Sequence, residues 1–181
     1  MLKADKVNPP GERNVLKGDL KLLEGYELND DILISNILHA PYTSSINTND
    51  GSMRVYLPSF NPYKQLIIPD NVTHFKIIAV GASINFNYYN ATIESDSSSL
   101  IPLIDGQVPA FSLNLQVSPR DGQAMMLILG ISYIHLPTFT GEVLPLCQAA
   151  QILRVESNLP SLFIKKEDQM LAMNFDEETP F

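Results

Sequence analysis

FKIIAVGASINFNYYNATIES (Phe75–Ser95) is the stretch that decides the fold class, because its apolar residues alternate with the period of a β-strand. Phe75 and Ile77 share one face, whereas Ile78 and Val80 share the other. Both faces are apolar, which predicts a strand that is covered on both sides. The polar NFNYYN segment predicts a turn, so we expect two adjacent strands at the centre of the domain. The small residues of AVGAS predict a close approach by another backbone, or a β-bulge.

Other stretches repeat the strand pattern along the chain. Asn49–Gly51 lies between two alternating runs, and Asp-Gly there predicts a hairpin because glycine adopts a positive φ at little cost. Ala110–Val117 alternates apolar with polar residues, which predicts a strand with one buried face. Gln123–Leu136 is the most apolar run and predicts a central strand, and Cys147–Glu156 predicts the last strand. Asp96–Ser99, which is DSSS, predicts a loop.

Two segments before the hairpin give weaker signals. LKLLEGYEL (Leu20–Leu28) fits either the start of a strand or one helical turn, and Gly25 argues against a long helix. DDILISNILHAPY (Asp30–Tyr42) suits a strand or an irregular segment better than a helix, because it contains β-branched residues and ends near Pro41. The spacing of Ile34, Ile37 and Leu38 keeps a helix open as the alternative.

Short strands that are bounded by turn residues, without strand–helix–strand alternation, predict an all-β fold. We expect an antiparallel, immunoglobulin-like β-sandwich of about seven to nine strands. An extended N-terminal arm covers residues 1–18, the sandwich domain covers 19–156, and a C-terminal extension covers 157–181, where Ser161 can cap a short helix.

The C-terminal extension is apolar beyond the last predicted strand. These side chains either pack back onto the sandwich or dock onto a neighbouring subunit, and both alternatives stay open at this point. The residues concerned are Met170, Leu171, Met173 and Phe175.

The charge balance narrows the class of partner. The 181 residues include 12 Lys and Arg against 20 Asp and Glu, which gives a net charge of −8. A duplex-binding protein needs a basic surface, so nucleic acid is not an expected partner. Charged residues make up only 18% of the chain, which suits a protein–protein interface because charges there must lose their water. The expected partner is therefore a protein, and a homo-oligomer formed through the termini is one such case.

Hydropathy along the chain predicts no membrane span. The longest apolar run is Ala124–Leu136, which is shorter than the roughly 20 residues that a spanning helix needs. The first residues, MLKADKVNPPGERNVLKG, contain no apolar core of a secretory signal. We therefore expect a soluble protein that is cytoplasmic as synthesised, and its final location stays open.

Residues with catalytic or metal-binding chemistry are few and scattered. Cys147 is the single cysteine and lies among apolar residues, which predicts a small buried side chain. His39, His74 and His135 lack metal-ligand spacing. Asn49–Gly51 offers oxygen ligands but lacks the glutamate that an EF-hand places at position twelve. No nucleophile elbow, phosphate-binding loop or dinucleotide fingerprint occurs. We expect no enzyme, and we predict no catalytic, cofactor-binding or metal-binding residue.

The tyrosines suggest sugar binding as an alternative function, since aromatic rings stack on sugars. Tryptophan is absent, however, and tyrosines at strand edges are routine. Asn71 and Asn90 match the glycosylation sequon, but without a secretory signal we expect neither to be modified. The tyrosines that could line a sugar-binding face are Tyr26, Tyr42, Tyr56, Tyr63, Tyr88 and Tyr89.

Three segments resemble a family of uncharacterised proteins from Bacteroidetes. GERNVLKGDLKLLEGYELN (Gly11–Asn29) is similar to the family pattern RGxRxVxxGxxxLLxGFEFN. Leu57–Pro62 is similar to IPxFxP, and Val72–Phe86 is similar to ATHFKIxSxGAxIDF. The resemblance covers Gly11–Glu156 and implies no activity, ligand or site residue. Members carry a long basic segment before this region, whereas this chain starts almost at it and adds residues after Ser157.

Low charge, apolar termini and the lack of site chemistry lead to one expected function. We expect a non-enzymatic structural or protein-interaction module, with self-assembly as one form of that role. The alternative is a module that binds a small molecule or a glycan.

Overall fold

A computed structural model describes residues 16, 19–86, 88–119, 122–136 and 144–158, with the backbone alone at 144–147 and 158. A 3-10 turn, Leu20–Leu23, precedes two single-turn helices, α1 (Ile34–Ile37) and α2 (Pro62–Gln65). The described strands are β1 (Thr43–Ile46), β2 (Ser52–Leu57), β3 (His74–Asn85), β4 (Asn90–Ser97), β5 (Ile101–Pro102), β6 (Phe111–Gln116), β7 (Gln123–His135) and β8 (Leu144–Asn158).

The strands form two antiparallel sheets, which confirms the prediction of an all-β sandwich. The smaller sheet has the order β1-β2-β6. The larger sheet has the order β4-β3-β7-β8, and β5 pairs with the start of β3 beside β4. The immunoglobulin-like character stays a prediction.

The core lies between the two sheets and is formed by residues of one parity. On the large sheet, Phe75, Ile77 and Leu127 are fully buried, and on the small sheet Val55 and Leu57 face them and are equally buried. The one-sided strand predicted at Ala110–Val117 is confirmed, since its alternate apolar residues Leu113, Leu115 and Val117 are buried.

The hairpin predicted at Asn49–Gly51 is confirmed and joins β1 to β2. Gly51 has a φ of 81°, which glycine adopts at little cost. The Asp50 carboxylate accepts hydrogen bonds from the Ser52 N–H at 2.8 Å and from the Asn47 side-chain amide at 3.0 Å. The bond from Ser52 lowers the pKa of Asp50 below its ordinary value, because the charged carboxylate is the better acceptor.

The stretch Phe75–Ser95 forms β3 and β4 joined by a turn, as predicted, but only β3 is central. Among the described strands, β4 pairs with β3 alone and lies at the edge of the large sheet. The loop predicted at Asp96–Ser99 is wrong at its start, since Asp96 and Ser97 still pair with β3. β3 pairs with both neighbours without interruption, so the predicted bulge is absent. Gly81 instead leaves room for the Met53 side chain, because a Cβ added at Gly81 would lie 2.9 Å from the Met53 sulfur.

Two segments before β1 each contain a single helical turn. Leu20–Leu23 forms the single turn that was one of two alternatives for LKLLEGYEL. Asp30–Tyr42 contains the helical turn α1, which was the less favoured alternative to a strand or an irregular segment. This turn is stabilised from outside its own sequence, because the Glu27 carboxylate accepts hydrogen bonds from the N–H groups of Ile34 and Ser35.

Glu27 also covers the outer edge of β8. Its backbone forms an isolated bridge with Gln151, and its carboxylate accepts a hydrogen bond of 2.8 Å from the Gln151 side-chain amide. Gly25 and Leu28 donate backbone hydrogen bonds to β8 on either side of that bridge. Such pairing removes a free strand edge that another chain could extend.

Tyr42 offers a pH test of this region. Burial raises the pKa of the Tyr42 hydroxyl above its ordinary value of 10.0, and the charge of Glu27 raises it further. The folded state therefore holds this proton to a higher pH than the unfolded state, so the stabilisation is complete below about pH 10 and is lost as pH rises through the folded pKa. We expect Tyr42→Phe to lose less free energy of unfolding than the wild type between about pH 9 and pH 11 in urea titrations. Equal losses in the two proteins would contradict this assignment.

The predicted arm, residues 1–18, lies outside the described residues except for Leu16, which is buried against β7 and β8. The predicted extension lies outside them after Asn158, and Ser157 and Asn158 belong to β8. In the part of the chain that the structure describes, no helix is long and apolar enough to cross a membrane.

Candidate functional site

A groove of about 490 Å³ opens beside the free edge of the small sheet. One wall is the segment that leaves β4 and passes through β5, residues 97–102, and the other wall is residues 106–113, which lead into β6. The volume falls within the roughly 300–1,000 Å³ range of ligand pockets.

Backbone hydrogen bonds hold the first wall against β3. The Ser98 N–H donates to the Ile77 carbonyl, and the Ser98 hydroxyl accepts from the Ile77 N–H at 3.1 Å. After β5, the Leu103 N–H donates to the Thr73 carbonyl at 2.9 Å. This wall is therefore continuous with the large sheet although β4 ends at Ser97.

The second wall is attached to the segment that follows β2. Phe60 and Val108 exchange two backbone hydrogen bonds, and the Ser59 hydroxyl donates to the Val108 carbonyl at 2.9 Å. Phe60 is buried, and its ring centroid lies 6.2 Å from that of Phe75 in the core. Both walls are thus anchored to the core, which suits a groove that exists before its ligand binds.

The surface of the groove is mostly apolar. Ile101 and Leu113 form buried parts of it, whereas the Ile104 side chain is 61% exposed at its mouth. Asp96 is the single charged residue among those that line the groove, and its carboxylate accepts hydrogen bonds from the Ser97 and Asn114 N–H groups. The groove therefore favours an uncharged, apolar ligand over an anion.

The groove also borders an edge of β6 that pairs with no other strand among the described residues. Val117 donates its N–H to Gly51 on the β2 side, whereas Asn114 donates its N–H to Asp96 on the other side. Successive residues of a strand point their backbone groups to opposite sides, so Ser112 shares the direction of Asn114. The N–H and C=O of Ser112 therefore point from the edge of β6 towards the groove.

Two charged side chains of the large sheet cover the edges of the small sheet. Asp96 of β4 accepts from Asn114 on the β6 edge, as described above, and Arg154 of β8 donates to the Ser44 carbonyl on the β1 edge at 2.9 Å. Such side chains protect part of each edge against pairing with another chain. The edge at Ser112 lies beyond the reach of the Asp96 hydrogen bond and next to the groove.

The structure does not bring the three histidines together. The His74 ring bonds to the Thr73 hydroxyl at 2.9 Å, and the His135 ring bonds to the Asn71 carbonyl at 2.6 Å. Within the described ranges, no group of three His, Cys, Asp or Glu side chains is arranged to hold a metal ion. The Cys147 side chain lies outside the described residues.

The tyrosines considered for sugar stacking are distributed over several different elements. Tyr88 and Tyr89 lie at the turn between β3 and β4, Tyr63 lies on α2, and Tyr56 lies on the small sheet with the Arg54 guanidinium 5.5 Å from its ring centroid. None of the residues that line the 490 Å³ groove is a tyrosine.

No residue of the groove was predicted from the sequence to be functional. The lining residues are serines, prolines and aliphatic side chains from two segments separated along the chain, and no motif distinguishes them from ordinary loop residues. Comparison with models of protein families, with curated proteins and with solved structures finds no match.

Proposed function

We propose that this chain is a non-enzymatic protein-interaction module whose groove binds an extended, uncharged segment of a partner protein. The observation that carries the proposal is the combination of an apolar groove with the open edge of β6 at Ser112. A bound segment adds a strand to this edge through backbone hydrogen bonds, and its alternate side chains fill the groove.

The composition of the site supports a peptide of this kind. An extended peptide carries its own N–H and C=O groups, which pair with those of Ser112 without requiring a charged side chain. An acidic segment is disfavoured, since Asp96 lines the groove and the chain as a whole carries a net charge of −8. The preferred segment therefore alternates apolar and neutral residues.

A charge at the mouth of the groove tests this function. We expect peptides selected from a display library on the wild-type protein to bind Ile104→Asp about tenfold more weakly or worse, because the new carboxylate must lose its water on binding. Ile67→Asp is the matched control, since Ile67 is 54% exposed and lies outside the groove lining. Isothermal titration calorimetry gives both affinities, and equal weakening by the two variants contradicts the proposed site.

A small apolar molecule is the second candidate ligand, and the groove volume favours it. Substitutions at Ser112 distinguish a peptide ligand from a small apolar molecule. Ser112→Pro removes the N–H that a peptide strand uses, and proline is tolerated where the N–H faces an open edge. Peptide binding then falls while binding of the apolar dye Nile red persists. Ser112→Ala retains the N–H and is the control for loss of the hydroxyl, which accepts a hydrogen bond from Arg54 at 2.7 Å.

The partner segment comes either from another protein or from a terminus of a second copy of this chain. Sedimentation velocity over a wide concentration range separates these sources. A mass that rises with concentration in the wild type, and not in Ile104→Asp, assigns the groove to self-assembly. Monomer at every concentration assigns it to a different protein.

A further inference from the structure

The large sheet has a second face that is turned away from the small sheet, called here the outer face. Strand pairing places the even-numbered residues of β3 and β7 on it, beside alternate residues of β4 and β8. Part of this face is uncharged. It covers residues 78–84 of β3, 91–97 of β4 and 124–130 of β7, where no outward-facing side chain carries a charge. An uncharged sheet face of this width is typical of a buried surface.

One half of the outer face is already covered. Leu16 and Leu20 pack against Ile152 and Val155 of β8, and all four are buried. Leu23 adds a partly buried contact. The segment before α1 therefore covers the β7–β8 half by ordinary apolar packing.

The other half, over β3 and β4, is called here the β3–β4 patch. Ile78, Val80 and Ile84 of β3 are only half-buried, and Ile93 of β4 is 66% exposed. These residues belong to neither cluster of buried apolar residues in the described part of the chain. Isolated exposed aliphatic side chains are common, whereas a contiguous apolar patch on a flat sheet marks a contact surface.

We propose that the C-terminal residues 159–181 of the same chain cover the β3–β4 patch. This inference is independent of the proposed function, because the outer face and the groove use different residues. The contact is intramolecular, for three reasons: the composition of residues 159–181, the position at which β8 ends, and the distance that the chain can span from there.

The first reason is composition. Residues 159–181 carry two apolar groups, Leu162–Ile164 and Met170–Phe175, and both lie beyond the end of β8. The N-terminal residues 1–15 instead contain two adjacent prolines and five charged side chains, with few large apolar ones. Of the two terminal segments, the C-terminal one therefore offers more apolar side chains to match the patch.

The second reason is the position at which β8 ends. Ser157 pairs with Ala124, and Ala124 pairs with Ile84. The chain therefore leaves the sheet at the same end as Ile84 and the turn into β4, beside the uncovered half of the outer face.

The third reason is reach. Two strand spacings of about 4.8 Å separate β8 from β3, and three separate it from β4, so the distances are about 10 Å and 14 Å. Leu162 follows Asn158 by four residues, which span at most about 14 Å when extended. The first apolar group thus reaches the patch without a second copy, and a linker this short keeps the effective concentration in the millimolar range.

Photo-crosslinking in the full-length chain tests the proposal. We replace Phe163 with p-benzoylphenylalanine, mix light and isotopically heavy protein in equal amounts, irradiate, and identify crosslinked peptides by mass spectrometry. We expect crosslinks to residues 78–84 and 91–95 that join light to light and heavy to heavy. The same substitution at Tyr63, which is exposed on α2, is the control and yields no crosslink to these strands.

A charged residue introduced into the β3–β4 patch provides a second test of the proposal. Ile93→Lys is expected to lower the crosslink yield from position 163 by about tenfold, because docking the apolar segment would bury the new charge. Thr92→Lys is the matched control, since Thr92 is an exposed neighbour on the opposite face of β4, and it leaves the yield unchanged.

Each outcome decides the question. Crosslinks within one chain that are lost in Ile93→Lys support the proposal. Mixed light–heavy crosslinks overturn it in favour of a second copy. Crosslinks elsewhere on the molecule, or equal yields in the two lysine variants, also overturn it. Because peptide binding in the groove is measured separately, failure here leaves the proposed function standing.

Discussion

Gly51→Ala is expected to lower the free energy of unfolding by about 3–5 kcal/mol, from backbone strain and overpacking together. Gly51 has a φ of 81°, where a Cβ costs about 1–2 kcal/mol. The same Cβ would overlap the Val117 carbonyl oxygen and lie 2.8 Å from Pro119 Cδ. Because the Val117 N–H donates to the Gly51 carbonyl, the overlap separates the β1–β2 hairpin from the end of β6. Urea unfolding followed by circular dichroism measures the loss.

Substitutions at two other glycines distinguish the cost of backbone strain from the cost of the overlap with Val117. Gly25 has a φ of 82° with no atom within 4 Å of an added Cβ, so Gly25→Ala reports the backbone cost alone, about 1–2 kcal/mol. Gly106 also has open space and no positive φ, so Gly106→Ala is expected to change stability by less than about 0.5 kcal/mol. Equal losses at Gly51 and Gly25 would show that the contact with Val117 contributes nothing.

Tyr133→Ala is expected to destabilise the protein by about 3–5 kcal/mol, because it leaves a cavity in the centre of the core. Tyr133 is among the largest fully buried side chains and pairs in register with Phe75 on β3. Its hydroxyl donates a hydrogen bond of 2.8 Å to the Ile67 carbonyl, so it also fixes the segment after α2 to the large sheet. Thermal and urea unfolding of the full chain measure the effect.

Tyr133→Phe distinguishes the hydrogen bond from the packing. This variant keeps the ring and removes the donor to Ile67, so we expect a loss of about 1–2 kcal/mol. Tyr63→Ala serves as the control for losing a tyrosine, since Tyr63 is 57% exposed and its truncation should cost less than about 0.5 kcal/mol. A Tyr133→Phe loss as large as that of Tyr133→Ala would mean that the hydroxyl, rather than the packed ring, dominates.

The two candidate contact surfaces have the same physical origin. Each is a part of a sheet that the described residues leave incomplete: the β6 edge at Ser112 lacks a neighbouring strand, and Ile93 on the β3–β4 patch lacks a covering layer. The edge offers directional hydrogen bonds and so favours an extended backbone, whereas the patch offers only apolar area.

Local signals predicted the strands where the physical cause is local. The hairpin at Asn49–Gly51 follows from the positive φ of a glycine, and the buried face of β6 follows from a strict alternation of apolar residues. β3 and β7 were predicted as strands because both of their faces are apolar. By contrast, a helix at α1 was only the less favoured alternative, because the carboxylate that caps it belongs to Glu27, which lies outside the helix.

Local patterns along the chain were sufficient to predict the β class of this protein and the positions of most strands and turns, and they contain no recognisable catalytic motif. The pairing of distant segments, by contrast, established that β4 is an edge strand and that β6 leaves an open edge among the described strands, and that residues 97–102 and 106–113 enclose a groove. The reason is that alternation reports which face of a strand is apolar, whereas sheet order and edges depend on pairings between residues far apart in the chain.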